Sequence, residues 1–383
     1  MNERNFPRGY KGEEDEHLPI ATRTWAHEQE VIEKFKGIER GATPFLFGSL
    51  PDETGGTCHL SYSDDAGIFT VAGSRSGKGV SLIIPNLLNY SGPVLVLDPK
   101  AENASKTAHY RARVFDQNIV ALDPFSVTDL PKSTFNPLVY FDPEHDEFVD
   151  DITDLADALI VRSHGNADPH WDESARSVFK MLLMYIVIDH EKDDRNLVWL
   201  RTLLLNGQTK SEQKNYQAPE PKFTSDMTDE DREVERRRVK NQTIADHVES
   251  SFTQLLKNFK EHDNHIIAGT AQRLLDAGER ERGSIISTAQ RHTDFLDSKP
   301  IQSVLKTNSF DLSQLRQSSV YLILPEGRMA AQSRWLRMVI TLVLRRVQSE
   351  GLKKADDKTN SLMMVLDECA SLGYMEAIER SMA

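Results

Sequence analysis

The chain has 383 residues, of which 39% are hydrophobic, and a formal net charge of −13. This acidic balance argues against nucleic-acid binding through overall charge, so any DNA contact requires a local basic surface. Two distant cysteines without a cysteine–histidine cluster argue against a zinc site, and the longest apolar run, about residues 178–188, is too short for a transmembrane segment.

The first 71 residues predict an arm, a helix and several short strands. Residues 1–20 are charged and turn-rich, which predicts a mobile arm, and residues 22–36 predict a helix. Residues 41–71 predict strands and turns that end in an apolar, β-branched strand at residues 67–71. The arm shows no signal peptide, and the two cysteines fit a reducing compartment.

The central motif of the sequence is a predicted phosphate-binding loop. It lies between the predicted strand 67–71 and a predicted helix at residues 80–88, the context that such a loop requires. Small residues allow backbone N–H groups to surround an anion, and the helix N-terminus adds the positive end of its dipole. Lys78 is predicted to reach the outer phosphates of a nucleotide. The predicted nucleotide-binding residues are Ala72, Gly73, Ser74, Arg75, Ser76, Gly77, Lys78, Gly79 and Val80.

Two positions of this loop differ from the usual pattern. Ala72 replaces the first glycine, and Gly79 replaces the serine or threonine whose hydroxyl contacts Mg²⁺. Ser76 and Ser81 are nearby hydroxyls, but neither is assigned that role by the sequence. A glycine- and serine-rich turn without special purpose is the simpler alternative.

A β-α-β unit is predicted after this motif. Apolar runs at residues 94–98 and 118–122 predict parallel strands, and residues 101–113 predict the helix between them. Asp98 and Asp123 follow at the carboxyl ends of these strands, where ligands bind in α/β sheets. For Asp98, ligand contact and helix capping both stay open, whereas for Asp123 capping is favoured.

Residues 143–296 predict an all-α region. Helical periodicity appears near residues 148–161, 175–188, 197–205, 247–259, 266–275 and 284–296. Residues 162–172 predict a polar loop whose histidines, His164 and His170, lack further ligands at metal-binding spacing. The arginines at 236–238 favour a solvated face paired with neighbouring acids over a nucleic-acid contact.

A strand ending in two acids is the second chemical motif. Residues 319–324 predict a buried strand, and residues 331–349 predict a long helix with Arg334, Arg337, Arg345 and Arg346 on its outer face. The strand at residues 361–366 ends in Asp367, the predicted metal ligand, and Glu368, the predicted base for the attacking water. An acidic turn after a core strand is the alternative.

Together these motifs resemble the TraG/TraD-like coupling proteins of conjugation and type IV secretion. The resemblance extends from about residue 24 to the end of the chain, and the family's loop also often contains Gly-Lys-Gly. The matching segments are 74–80 (Ser-Arg-Ser-Gly-Lys-Gly-Val), 84–88 (Ile-Pro-Asn-Leu-Leu), 97–102 (Leu-Asp-Pro-Lys-Ala-Glu), 135–138 (Phe-Asn-Pro-Leu), 171–176 (Trp-Asp-Glu-Ser-Ala-Arg), 319–322 (Ser-Val-Tyr-Leu) and 366–373 (Leu-Asp-Glu-Cys-Ala-Ser-Leu-Gly).

The resemblance implies a RecA-like P-loop nucleotide-binding α/β fold interrupted by an all-α domain tied to substrate recognition. Expected domains are an arm and helix (1–40), the first RecA-like part (41–142), the all-α domain (143–296) and the second RecA-like part (297–383). The family binds ATP and Mg²⁺, forms hexamers at the cytoplasmic face of the bacterial inner membrane, and passes a relaxase bound to single-stranded DNA to the secretion channel.

Family members usually begin with transmembrane helices and continue well beyond the Asp-Glu strand to an arginine finger. Neither segment is present between Met1 and Ala383. The expectation is therefore a truncated or split product whose efficient hydrolysis needs the missing parts. Two rival hypotheses stay open: a cytoplasmic RecA-like DNA translocase, and a module that binds nucleotide or relaxase without turnover.

Overall fold

The computed structural model describes residues 45–51, 56–62, 67–73, 76–161, 169–207, 228–351, 361–373, 375 and 378–379, with the backbone alone at 229, 239–250 and 350–351. The chain divides into two compact units, residues 1–92 and residues 93–383. The predicted arm and the predicted helix at residues 22–36 lie outside the described residues. The predicted domain boundaries after residues 40, 142 and 296 stay predictions.

The first unit contains a β-hairpin and the helix that follows the predicted loop. Strands β1 (Phe45–Pro51) and β2 (Thr57–Tyr62) pair antiparallel, as the turn signals around them indicate. A π-helical turn, Gly79–Ile83, continues into helix α1 (Ile84–Asn89), which confirms the helix predicted at residues 80–88.

One buried side chain attaches this helix to the hairpin. The Asn86 side chain accepts a hydrogen bond from Leu46 N at 2.7 Å and donates one to Leu46 O at 2.8 Å. Asn86 Nδ2 also lies 2.8 Å from Leu82 O, one turn earlier in the helix. Because the amide satisfies both backbone groups of one strand residue, it fixes the helix against β1.

The second unit is built on a four-stranded parallel sheet. Its strands are β3 (Val94–Asp98), β4 (Asn118–Leu122), β5 (Ser318–Ile323) and β6 (Met363–Leu366), in the order β4-β5-β3-β6. Strands β3 and β5 are buried at every residue, whereas all four residues of β6 are half-buried. The predicted β-α-β unit is therefore present, with β5 between its two strands.

A polar network lies between this sheet and helix α2 (Glu102–Val114). The Arg111 side chain is completely buried and donates from Nε to Ser319 Oγ at 2.7 Å and from Nη2 to Gln117 Oε1 at 2.8 Å. The hydroxyls of Thr107 and Tyr321 lie 2.7 Å apart, and burial raises the pKa of Tyr321 to about 12. Ser319 and Gln117 thus accept hydrogen bonds from the buried guanidinium, and these bonds help to fix the position of α2 on the sheet.

Helices supply the rest of the second unit and share one hydrophobic core with Leu95, Leu97, Val320 and Leu322 of the sheet. Among the described residues between 143 and 296 there are helices and short turns but no strand. The helices are α3 (Phe148–Leu159), α4 (Pro169–Asp189), α5 (Leu197–Asn206), α6 (Asp229–Lys260), α7 (His265–Asp276), α8 (Glu279–His292), α9 (Lys299–Leu305) and α10 (Glu326–Gly351).

Two of these helices begin earlier than the apolar periodicity predicts. Helix α4 begins at Pro169, so the prediction of a loop over residues 162–172 is wrong for its last four residues. Proline suits a first helical position because it has no N–H to leave unbonded. Helix α6 begins after Thr228, whose side chain forms a capping box with Asp231.

Of the two predictions about groups of arginines, one is confirmed and the other is wrong. Arg236, Arg237 and Arg238 pair with glutamates one turn away on the exposed face of α6, as predicted. Arg334, Arg337, Arg345 and Arg346 of α10 are half-buried, so their predicted outer-face position is wrong. Arg334, for example, donates to Asp294 at 2.9 Å. Met338, fully buried one turn from Arg334, shows that α10 is packed on that side as well.

Both acids at the strand ends bind backbone N–H groups. Asp98 Oδ2 accepts from Ala104 N at 2.7 Å in the first turn of α2, so capping is its observed role. The carboxylate of Asp123 accepts from Val127 N at 3.0 Å and Thr128 N at 2.8 Å, which confirms its predicted capping role. Burial raises the pKa of Asp98 despite the hydrogen bond from Ala104, and the nearby Asp367 charge adds to the increase.

The pH dependence of stability tests the environment of Asp98. Because its pKa is raised on folding, the folded chain keeps this proton to higher pH than the unfolded chain. The wild type should therefore lose stability relative to Asp98→Asn as pH rises from about 4, the unfolded pKa, through the raised folded value. Urea unfolding across this range measures the difference. A stability difference that is independent of pH would contradict the raised pKa of Asp98. In a separate variant, Asp98→Ala should lower the free energy of unfolding by about 1 kcal/mol, because the cap on α2 is lost.

Gly207 is a second position where stability can be predicted. It ends α5 with φ +59°, and a Cβ there would lie 2.2 Å from Phe252 N. Gly207→Ala should therefore destabilise the chain by more than about 2 kcal/mol, since the left-handed conformation alone costs ~1–2 kcal/mol. Gly269→Ala within α7 is the matched control, since nothing beyond its chain neighbours and the backbone of α7 lies within 4 Å of its Cβ position. It should stabilise by about 1 kcal/mol in thermal unfolding.

Candidate nucleotide-binding site

The predicted phosphate-binding loop turns sharply into the helical segment of the first unit. Gly77 has φ +89°, and the next residue, Lys78, already has helical angles of φ −45° and ψ −48°. A positive φ favours glycine because it has no Cβ. The residues around Gly77 therefore allow successive N–H groups to change direction over a short distance, as an anion-binding loop requires.

Hydrogen bonds shape both ends of this loop. Ser76 N donates to Gly73 O at 3.2 Å. Ser81 donates to Gly77 O from its backbone N at 2.9 Å and from its Oγ at 2.8 Å. The Ser81 hydroxyl therefore uses its proton inside the loop and retains oxygen lone pairs for another ligand.

The surface of the loop is accessible over most of its length. Ala72, Gly73, Ser76, Gly77 and Val80 are exposed, and Lys78 and Gly79 are half-buried. Ser74 and Arg75, also predicted to bind nucleotide, lie outside the described residues. An exposed, glycine-turned loop at a helix start has the features that a phosphate group requires, although its contacts with nucleotide stay a prediction.

The strand predicted before the loop is not formed. Residues 67–73 belong to no strand of the described chain, and Ile68, Phe69 and Val71 are exposed by 41%, 81% and 83%. Their β-branched and aromatic side chains favour a strand, but a strand also needs a hydrogen-bonded neighbour. None of the described ladders includes these residues, which explains the wrong prediction.

The second unit brings acidic residues together at the carboxyl edge of its sheet. Leu97 of β3 is in register with Leu366 of β6, so Asp98 and Asp367 follow on neighbouring parallel strands. Asp367 is half-buried, with Oδ1 inaccessible to solvent, and Glu368 is exposed. Since Asp98 is used to cap α2, Asp367 is the acid of this pair that suits a metal.

Glu368 has an unusual backbone conformation for a residue other than glycine. Its φ of 58° and ψ of 38° are left-handed, which costs roughly 1–2 kcal/mol. A short 3₁₀ turn, Cys369–Leu372, follows directly. Ser371 donates to Glu368 O from its backbone N at 3.0 Å and from Oγ at 2.8 Å. The exposed carboxylate of Glu368 therefore stands on a backbone that local hydrogen bonds hold in place.

The acids Asp367 and Glu368 suit Mg²⁺ better than a metal ion that is bound by protein side chains alone. In the described part of the chain, no three His, Cys, Asp or Glu side chains group closely enough for a metal ion. Mg²⁺ commonly binds one or two carboxylates together with substrate phosphates and water, so one acid such as Asp367 is sufficient. Lys78 belongs to the first unit and Asp367 and Glu368 to the second, and their joint action stays a prediction.

Two histidines of the described residues lie beside carboxylates. His170 Nε2 lies 3.6 Å from Glu281 Oε1 on the surface, whereas His164 lies outside the described residues. His292, which the sequence did not single out, is buried with Nε2 3.0 Å from Asp172 Oδ1. Burial lowers the pKa of His292, which favours a neutral structural role in the helical core.

Two residues with a positioning role were missed or misplaced by the sequence reasoning. Asn86 anchors the helix that follows the loop, and its place in the segment 84–88 that carries the family resemblance was the available signal. Arg337 was placed on an outer face, yet it donates from Nη1 to Leu372 O at 2.8 Å.

A family model describing type IV secretory system conjugative DNA transfer matches residues 20–383. The conjugal transfer protein TraG of Escherichia coli is 23% identical over 350 residues, which cover 89% of this chain and 50% of TraG. The coupling protein VirD4 of Bartonella quintana is 22% identical over 333 residues, or 85% of this chain and 45% of VirD4. The chain thus spans about half the length of these curated relatives.

Solved structures give the same result for the fold. The unbound bacterial conjugative coupling protein TrwBdeltaN70 has a TM-score of 0.54 at 12% identity, covering 93% of this chain and 65% of that one. TrwB in complex with the non-hydrolysable ATP analogue ADPNP has a TM-score of 0.51 at 14% identity, covering 81% and 58%. These similarities confirm the predicted fold class, a RecA-like P-loop α/β fold with a helical domain.

Within the described ranges, no helix combines the length and the apolar character that crossing a membrane requires. The match with the family model covers nearly all of the sequence, including the loop at residues 72–80 and the acids at residues 367–368. The chain belongs to the conjugative DNA transfer family of type IV secretory systems, which includes the coupling proteins.

Proposed function

We propose that this chain is the nucleotide-hydrolysing part of a conjugative coupling protein. The observation that carries the proposal is the exposed loop in which Gly77, with its positive φ, leads into the helix start at Lys78. Its occurrence in a chain of the conjugative DNA transfer family favours ATP as the ligand. TrwB, a structural neighbour, was solved with an ATP analogue, which supports the same assignment.

The loop residues bind the phosphates in this proposal. Backbone N–H groups of residues 72–80 surround the phosphate oxygens, and the Lys78 ammonium neutralises charge on the outer phosphates. Ala72 and Gly79 are compatible with this role because both contribute only backbone groups. Gly79 lacks the hydroxyl with which such loops usually contact the metal ion, so Asp367 is the principal protein ligand in this proposal.

The acids of the second unit supply the remaining groups. Asp367 holds Mg²⁺, directly or through water, and the ion supplies charge neutralisation when it is bound. Glu368 orients the attacking water and accepts its proton, a role for which its exposed carboxylate is suited. Its left-handed backbone fixes the direction in which the side chain leaves the turn.

The proposed biological role is to link a relaxase bound to single-stranded DNA to the channel of a type IV secretion system. Family membership supports these partners and an inner-membrane location at the cytoplasmic face. A homo-hexameric ring is the proposed assembly. The net charge of −13 requires that any DNA contact be local, such as a basic lining of the ring pore.

Replacement of Lys78 tests nucleotide binding. Lys78→Ala should weaken ATP binding about 10- to 100-fold, since a charge-assisted hydrogen bond contributes ~1.5–3 kcal/mol. Titration of a fluorescent ATP analogue measures the affinity. Lys106→Ala is the matched control because Lys106 is exposed and pairs only weakly with Glu102 at 3.8 Å. Equal affinity of wild type and Lys78→Ala would contradict the proposed loop.

Replacement of Glu368 separates binding from turnover. Glu368→Gln keeps the shape of the side chain but cannot accept a proton, so ATP hydrolysis should fall about 10²- to 10⁴-fold while ATP affinity stays the same. Phosphate release is measured with and without single-stranded DNA. Glu326→Gln is the control, an exposed glutamate at the same edge of the sheet.

Two outcomes of this experiment change the proposal. Nucleotide binding without turnover, in wild type and variants alike, would leave a binding module in place of a motor. Turnover that survives Glu368→Gln would assign the base to another residue.

A further inference from the structure

The turn after Glu368 is fixed from two directions. From within, Ser371 donates twice to Glu368 O, and Gly373 N donates to Ala370 O at 3.2 Å. From outside, Arg337 of α10 donates from Nη1 to Leu372 O at 2.8 Å. The two ends of the turn are therefore held by different parts of the chain.

Helix α10 is well placed to act as the fixed partner. It buries Trp335, Leu336, Val339, Ile340 and Val343 almost completely in the core. A helix packed in this way moves little on its own, so a side chain that leaves it can hold a neighbouring turn. Arg337 is the half-buried residue of α10 that points to Leu372.

Arg337 is half-buried, so its hydrogen bond to Leu372 O is partly shielded from water. Burial lowers the pKa of its guanidinium, and the positive charge of Arg334 adds to this effect. Arginine side chains stay protonated in proteins, so Arg337 acts as a charged donor. A charged donor makes a stronger hydrogen bond to a backbone carbonyl than a neutral donor does.

We propose that Arg337 is a positioning residue for the predicted base, Glu368, which it holds in place through the carbonyl of Leu372. Arg337 does not contact the reacting groups; it keeps the turn 369–372 against α10, and the turn in turn keeps Glu368 in its left-handed conformation. The catalytic part of this inference rests on the proposed role of Glu368 in hydrolysis, whereas the part about the turn stands on geometry alone.

The chain contains its own reporter for this turn. Cys369 is exposed and follows Glu368 directly, and the other free cysteine, Cys58, is buried. In a Cys58→Ser background, a small trifluoromethyl label on Cys369 reports the mobility of the turn by ¹⁹F NMR. Arg337→Met removes the donor but keeps an unbranched apolar side chain.

Arg334→Met is the matched control. Arg334 lies one turn before Arg337 on the same helix, is half-buried, and donates to Asp294 at 2.9 Å. The Arg334→Met variant therefore loses a comparable interaction, but one whose acceptor, Asp294, lies outside the turn. Arg337→Lys tests rescue, because lysine keeps a charged donor on a flexible chain.

Arg337→Met should narrow and shift the ¹⁹F signal of Cys369, Arg337→Lys should give an intermediate signal, and Arg334→Met should leave it unchanged. For a chain that hydrolyses ATP, Arg337→Met should lower kcat about 10- to 100-fold at unchanged KM, as expected for a misplaced catalytic group. If Arg337→Met does not fold, Arg337→Gln provides the same comparison.

Equal signals for Arg334→Met and Arg337→Met, or no change in either, would overturn the proposal. A changed signal with an unchanged kcat would also overturn the positioning role. If neither wild type nor Glu368→Gln hydrolyses ATP, the proposed ATPase activity is contradicted. The ¹⁹F signal of Cys369 still tests whether Arg337 holds the turn.

Discussion

Strand β3 is the element on which the second unit depends. It forms parallel ladders on both sides, with β5 and with β6, and all of its residues are buried. These ladders align the strand ends, so Asp98 and Asp367 become neighbours although they are distant in sequence. Burial raises the pKa of Asp98, and the charge of the aligned Asp367 adds to the increase. The pairing of β3 with β6 is therefore what brings these two acids to the same edge of the sheet.

Helix α10 connects that edge to the helical layer. Its apolar residues fill the core, and its arginines extend to separate elements: Arg337 to the turn after β6, Arg334 to the turn after α8, and Arg345 to Asp154 of α3. Surface ion pairs contribute little energy, but half-buried arginines with defined acceptors give geometric specificity. Through these contacts, α10 links the turn after β6 to the helices of the same unit.

Much of the fold could be predicted from the sequence because its signals are local. Continuous apolar runs gave β3, β4 and β5, and periodic apolar residues gave most helices. Two errors came from non-local causes. Residues 67–71 have strand composition but no described hydrogen-bonded neighbour, and the arginines of α10 look solvent-facing until α3 and the turn after β6 pack against them.

The candidate site was also proposed from the sequence. The loop around Lys78 and the pair Asp367–Glu368 were predicted because their chemistry depends on residue type and spacing, and their roles stay predictions. Asn86 and Arg337 were missed because each acts on the backbone of a residue far away in the sequence, Leu46 and Leu372. Contacts to backbone carry no residue-type signal in the partner. Asp98, left open between two roles, is a helix cap because α2 begins within reach of its carboxylate.

The strand order β4-β5-β3-β6 also has a consequence for synthesis on the ribosome. Strand β3 emerges early, but both of its partners are made only after the helical region, at a translation rate of about 5–20 residues per second. For that interval, Val94, Leu95, Val96 and Leu97 are a hydrophobic segment that lacks both of its strand partners. The nascent chain therefore depends on early helix formation, or on a chaperone, to cover this segment until residues 318–323 arrive.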